Sequence, residues 1–536
     1  MRKLLLLTGI VFSLSGAAQA GFWKSDGVPG QLRCEYRENP LGIDSEKPRL
    51  SWKLETGNLK LDRGIKQSAY QILVASSEAL LTKDKGDLWD SGKVASDQSV
   101  AVRYAGAPLA SETRYWWKVR VYDQDGKVSA WSAPASFLTG KVNPVDWRGK
   151  WIGPSIEKAG HTHGAIYMRK DFDLAKPAVR AVLSFSGLGF SEVAVDGKKV
   201  GDYVIGPGFT TYTHRVPYLT FDVSDRFTTP GRKQLDVTLA DGWYALERDP
   251  WCHQLERKPY VDLPKLLLDL RLSHADGTET VIRSDESWKW STGEITKSWI
   301  ASEDIDLRKA GETARVWQPV VPVKGPLGKL EHQKESFNRI VEEMRPASLR
   351  FDSSTATYEV GREVNGWLRF RARGPAGTTI RITTIPSATE YPRTSQFTLA
   401  GGDGKETYEP RFFHAGMIRV TIAGLVEEPT LDDLTICRIS SMRTPAGAFT
   451  CSDEFVNGLE QAVRRTVVNY TTFLPSDPVR EWKAWTQDIQ NIFGSAFYLF
   501  AESQAMYERW EHDLLDSQND EGNMANVAPG PVFDPY

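Results

Sequence analysis

Apolar and polar residues alternate with period two over most of this chain, and the period lengthens to about four near its end. In "RYWWKVRVYDQDGKVSAWS" (114–132), Trp117, Val119 and Val121 fall on one side, and Lys118 and Arg120 on the other. That alternation predicts a half-buried strand, and Asp125-Gly126 supplies a hairpin turn. Together with "RLSWKLE" (49–55) and "YQILVASS" (70–77), it predicts an Ig/fibronectin-like sandwich over 30–141. A second β region, 145–340, contains hairpin signals at Asp196-Gly197 and Asp276-Gly277 and reads as a jelly roll. A third β-sandwich is predicted over 345–442, where "VNGWLRFRARGPAGTTIRITT" is read as two runs paired across a Gly-Pro turn.

From 450 to 536 the pattern is helical. Ser452 is placed to cap a helix, with Asp453 and Glu454 in its first turn, and Phe455, Leu459, Val463 and Val467 recur every fourth position. Ile489, Ile492, Phe493, Ala496, Phe497 and Phe500 form a wide stripe on a second helix, and Met506, Trp510 and Leu514 mark a third. These apolar faces call for cover by further helices or by a partner. The fold class expected is three β-sandwich domains followed by the first helices of a helical domain that continues past Tyr536.

The first twenty residues are set apart from the fold. Arg2 and Lys3, the apolar run Leu4–Leu14 and Ala18-Gln19-Ala20 have the order of a cleavable signal peptide, with Gly21 as the new N-terminus. No Cys follows the cleavage point, so a periplasmic or secreted protein without a lipid anchor is expected. With 66 basic and 69 acidic residues the net charge is -3, which gives no reason to expect nucleic acid or an anionic membrane as partner. The four cysteines, Cys34, Cys252, Cys437 and Cys451, match no zinc spacing, and no Asp/Asn cluster has a convincing calcium spacing. No metal or cofactor is therefore expected. A Cys437–Cys451 disulfide is a weaker expectation than isolated buried thiols.

"PSDPVREWKAWTQDIQNIF" (475–493) concentrates the candidate chemistry. Glu481 and Asp488, seven positions apart, share a face if the helix is continuous; Thr486 as N-cap instead puts Asp488 in the first turn and Glu481 in the loop before it. Two acids flanked by indoles suit glycoside hydrolysis, in which one carboxylic acid protonates the leaving oxygen and a second carboxylate attacks or activates water. Trp482 or Trp485 would form a stacking wall whose apolar face raises a neighbouring acid's pKa. Arg480 would orient a carboxylate or bind a sugar hydroxyl. The residues equally fit a structural account: Asp488 caps a helix, Glu481 pairs with Arg480, and the tryptophans fill a core.

The segment resembles the catalytic loop of family 78 α-L-rhamnosidases, Asp-Cys-Pro-x-Arg-(Asp)-Glu-x-x-Gly-Trp-Thr-Gly-Asp, with Arg480, Glu481, Trp485, Thr486 and Asp488 in matching columns. "NPLGIDSEKPRLSWKLE", "DWRGKWIG", "ADGWYALERDP" and "EVGREVNGWLRFRARGPAGTTI" resemble blocks of that family's three β-domains, in the same order. The resemblance implies that residues 450–536 open an α/α six-hairpin barrel. It implies inverting hydrolysis of terminal α-L-rhamnose from plant glycans or glycosides, with Glu481 as general acid and Arg480, Trp485 and Asp488 lining the rhamnose subsite. Ser476-Asp477 stands where the family has Asp-Cys, and Ala484 and Gln487 replace glycines. Asp477 is thus either an alternative acid or a turn residue before Pro478. The family's general base lies further downstream, so the 536-residue chain alone is expected to be inactive. A non-catalytic, carbohydrate-binding set of sandwiches is the competing expectation.

Overall fold

The computed structural model describes residues 28–55, 66–156, 163–245, 262–300, 302–387, 391–480 and 482–530. Its β elements follow from the alternation. In strand Arg114–Asp123, Trp117, Val119 and Val121 are buried against Trp52, Tyr70 and Phe137. Lys118, on the opposite face as expected, is covered too. Helix α1 (Glu78–Thr82), capped by the Ser77 side chain, lies over it and accepts its Nζ at the Leu81 carbonyl, 2.7 Å away. The described strands from Val28 to Leu138 form a three-stranded and a four-stranded sheet facing each other, the two layers of an Ig-like sandwich.

The described strands between Ile152 and His332 form a second, twelve-stranded array around Leu183, Phe185, Leu268 and Leu270. Asp196 and Gly197 turn one of its hairpins with φ of +49° and +74°, the left-handed pair that a tight two-residue turn requires. A third sheet of ten strands follows, and it takes two strands from within the 145–340 span. Ile295–Trp299 pairs with Ser302–Asp306, which runs parallel to Arg393–Thr398. The second and third β-domains therefore share a core, in which Tyr167, Phe190 and Ile205 meet Tyr358, Phe397 and Phe412.

The expected hairpin across Gly374-Pro375 does not form. Thr355–Ala372 and Thr379–Ile385 both pair with Ala415–Ala423, which lies between them. Alternation fixes which face of a strand is buried but carries little information about its neighbour.

Three helices follow: α2 (Glu454–Tyr470), α3 (Thr486–Leu499) and α4 (Ser503–Asp516). Asp453, not Ser452, caps α2, accepting from the N–H groups of Phe455 and Val456 at 2.8 and 3.2 Å. The inner ends of the apolar stripes pack together, with Val467, Ile489, Ala496, Phe500 and Met506 buried around Met442. The outer ends stay open: Phe455 is 79% exposed and Leu459 54%, and Phe493 and Phe497 stack on each other at the surface. No described helix is long and apolar enough to cross a membrane.

Candidate functional site

The chain reaches the candidate loop through a short hairpin, Thr471–Thr472 against Leu474–Pro475, at the end of α2. Phe473 forms its tip at φ +66°, held by its N–H donating to Asn338 Oδ1 at 3.0 Å. The loop then lies on the third sheet. Gly416 N–H donates to the Pro478 carbonyl at 2.9 Å, and a Cβ on Gly416 would sit 2.8 Å from Val479 Cγ2. A glycine on the strand permits this close approach.

Asp477 works within the turn. Its Oδ1 accepts from the N–H groups of Val479 and Arg480 at 2.9 and 3.3 Å, and its Oδ2 lies 3.6 Å from Arg480 Nε. The Asp477 carbonyl accepts the Trp482 N–H at 2.9 Å. Both the acid and its backbone are thus engaged in shaping the loop, which is the Asx-turn role.

Glu481, the predicted general acid, lies outside the described residues. Trp482 is not a sugar-stacking wall. Its indole is 3% exposed and packs under the Arg393 guanidinium, 4.6 Å from the ring, with His414 edge-on at 6.3 Å. Burial drops the His414 imidazole to a pKa of about 3, so a neutral ring faces the indole. Trp482 is held at φ +54°, a left-handed conformation that costs a non-glycine residue about 1 kcal/mol. The structural account of a core tryptophan therefore holds for this position.

Trp485, half-buried, occupies the N-cap of α3 without a side-chain cap bond, so the helix starts at Thr486 rather than being capped by it. Thr486 instead donates its N–H and its hydroxyl to the Asn526 carbonyl, at 2.8 and 3.1 Å, and Trp485 forms a β-bridge with Val527. Asp488 thereby falls in the first helical turn, near the positive end of the peptide dipoles. Residues 482–484 are not helical, which rules out a continuous helix from 481 to 488.

Tyr470, at the last position of α2, brings these charges together. Its hydroxyl lies beside the Asp488 carboxylate. Burial first, then the charges of Asp488 and Asp477, hold its pKa well above the ordinary phenol value, while Arg480 acts the other way. Tyr470 is thus held neutral, within electrostatic reach of Asp477, Arg480 and Asp488. The sequence reading missed Tyr470, His414 and Arg393. Each reaches the loop from a distant element, and none carries a local motif.

Two clefts, of about 320 and 340 Å³, lie elsewhere, between the first β-domain, residues 329–339 and α4. Among the described residues no group of three or more His, Cys, Asp or Glu is placed to hold a metal ion.

Three family models match the chain: a Rha78A-like N-terminal immunoglobulin domain over 29–143, an alpha-L-rhamnosidase N-terminal domain over 176–342, and a bacterial alpha-L-rhamnosidase six-hairpin glycosidase domain over 444–536. An "Alpha-L-rhamnosidase" of Formosa agariphila is 31% identical over 92% of this chain and 55% of its own length. One of Streptomyces avermitilis is 28% identical over 92% and 65%. Among solved structures, an alpha-L-rhamnosidase of Dictyoglumus thermophilum superposes with a TM-score of 0.84 at 30% identity, covering 94% of this chain and 60% of that one. The Streptomyces avermitilis enzyme complexed with L-rhamnose gives 0.81 at 25% identity, covering 94% and 66%. The chain spans about half the length of the first curated relatives it matches, 55% and 54%.

Proposed function

Because the chain belongs to the α-L-rhamnosidases of glycoside hydrolase family 78, we propose that its protein removes terminal α-L-rhamnose from glycans or glycosides by inverting acid/base hydrolysis. One observation carries the reading at the level of residues. Arg480, Trp485 and Asp488 occupy the family's columns, and Arg480 lies 3.6 Å from Asp477 in the loop that leads to Asp488 in the first turn of α3.

Glu481, between Arg480 and Trp482, is the proposed general acid. Inversion requires a second carboxylate about 6.5–9.5 Å away, with water between the two. Asp477 is a poor alternative acid, because its carboxylate is already engaged within the turn, accepting the N–H groups of Val479 and Arg480 and lying 3.6 Å from Arg480 Nε. The arrangement of residues 1–20 supports export to the periplasm or medium.

The test is Glu481→Gln in the protein as its gene encodes it. For a rhamnoside with a poor leaving group, kcat should fall by about two orders of magnitude or more. An activated aryl rhamnoside, which needs little protonation, should suffer far less. Proton NMR of the first-formed sugar should show β-L-rhamnose. Equal, small losses on both substrates would remove Glu481 from the role, and α-L-rhamnose as first product would remove inversion.

A further inference from the structure

We infer that Arg393 is a positioning residue for the proposed acid, an inference that rests on the reading of the 477–488 loop given above. Arg393 belongs to the third sheet, where it opens strand Arg393–Thr398 and pairs with Thr384, 88 positions before Glu481. It is 5% exposed. Its Nη2 donates to the carbonyls of Val479 at 3.1 Å and Arg480 at 2.5 Å. The same guanidinium lies over the Trp482 indole, 4.6 Å from the ring. One rigid, charged plane therefore fixes the chain on both sides of position 481.

The grip has a reason to exist. Trp482 sits at φ +54°, in the left-handed region where a tryptophan does not stay unaided. The Asp477 carbonyl holds its N–H, His414 holds its ring edge, and Arg393 holds its face and the two preceding carbonyls. Arginine suits the task because its planar fork stacks and donates at once. Lysine keeps the charge but presents a point donor on a flexible stem. Nearly sealed from solvent, Arg393 acts through the backbone of the loop and is not placed to bind substrate.

Arg393→Lys tests this against a purely structural role, in which Arg393 only docks the helices on the sheet. If it positions the acid, kcat on a poor-leaving-group rhamnoside falls by about tenfold or more, in keeping with the sensitivity of acid catalysis to placement. The activated aryl substrate loses less, and KM stays within about threefold. Arg393→Lys added to Glu481→Gln then costs little further, because both changes remove the same contribution. An equal loss on both substrates, no loss, or full additivity with Glu481→Gln would overturn the positioning role. Arg393→Gln, a shorter and uncharged N–H donor that cannot reach both carbonyls, replaces Arg393→Lys in the same comparison if the lysine variant does not fold. The two readings fail separately. If Glu481→Gln itself shows no leaving-group dependence, the assignment of the acid is wrong; if it does and the Arg393 variants do not, only the positioning inference is.

Discussion

Arg49 and Glu508 lie 459 positions apart in the chain, yet the Arg49 guanidinium donates from Nη2 to both oxygens of the Glu508 carboxylate, at 2.7 and 2.8 Å. The contact joins the first β-sandwich to helix α4. Arg49 is itself oriented by Glu35 and by the Tyr36 hydroxyl, the latter at 3.0 Å. The second β-domain holds the same helix. Arg215 donates to Asp516 and to the His512 carbonyl, each at 2.6 Å, and Arg509 reaches back to the Phe209 carbonyl. The β-domains are therefore braces on the helices rather than inert spacers.

A double-mutant cycle on Arg49→Ala and Glu508→Ala should give a coupling of about 1 kcal/mol, near the top of the range for pairs that remain partly hydrated. Both side chains are about one-fifth exposed, so the coupling should shrink between 0.1 and 1 M salt. Urea denaturation of the four proteins measures it. A coupling indistinguishable from zero at low salt would mean that the contact does not brace α4.

The cysteines should separate by reactivity. Cys437 is fully buried, and burial pushes its thiol up to about 12; Cys34 is likewise buried and raised, while Cys451 is exposed. All three are free thiols, so no Cys437–Cys451 disulfide is present, and Cys252 lies outside the described residues. A thiol-directed alkylating reagent at pH 8 should label Cys451 in the native protein and reach Cys34 and Cys437 only after unfolding, because the thiolate is the reacting form. Peptide mapping reads the result. Native labelling of Cys437, or a cross-linked 437–451 peptide, would contradict it.

What was legible in the sequence was whatever is decided locally. The side-chain alternation of Trp117, Val119 and Val121 named the buried face, and Asp196-Gly197 named a turn whose φ values are both positive. The stripes of α2 and α3 were also legible, although Phe455 and Leu459 find no cover among the described residues. Neighbour order was not legible: nothing in Thr355–Ala372 says that Ala415–Ala423 pairs with it ahead of Thr379–Ile385. Of the candidate site, the loop itself could be read as a motif. Its supports could not, because Arg393, His414 and Tyr470 each take their meaning from a partner on another element. Trp482 shows the same limit. An indole beside an acid reads equally as sugar wall or core, and only the burial by Arg393 and His414 decides for core.

The last prediction concerns pH and a charge cluster that helical periodicity did not reveal. On α4, one turn from Met506, Arg509 lies 2.7 Å from Asp513 and 4.0 Å from Glu335, with all three side chains nearly sealed from solvent. Two acids and one cation share this site, so burial favours keeping one acid protonated, and the Asp513 carboxyl is pushed up to about 7 by burial against the pull of Arg509. The unfolded chain would titrate that carboxyl near 3.9. Between the two values the folded protein holds a proton that the unfolded chain has released, so stability falls as pH rises from about 4 to 7 and is level above that. The ceiling is about 4 kcal/mol, three pKa units at 1.36 kcal/mol each. Other buried groups also carry shifted pKa values: Asp44 and Glu303 are raised, and His332 and His414 are lowered. The measurable quantity is therefore the difference between wild type and Asp513→Asn, in which those contributions cancel. Urea denaturation from pH 5 to 8 should show the variant gaining on wild type as pH rises, because its amide has no proton to lose. Parallel curves would mean that Asp513 is ionised throughout and that Arg509 outweighs the burial.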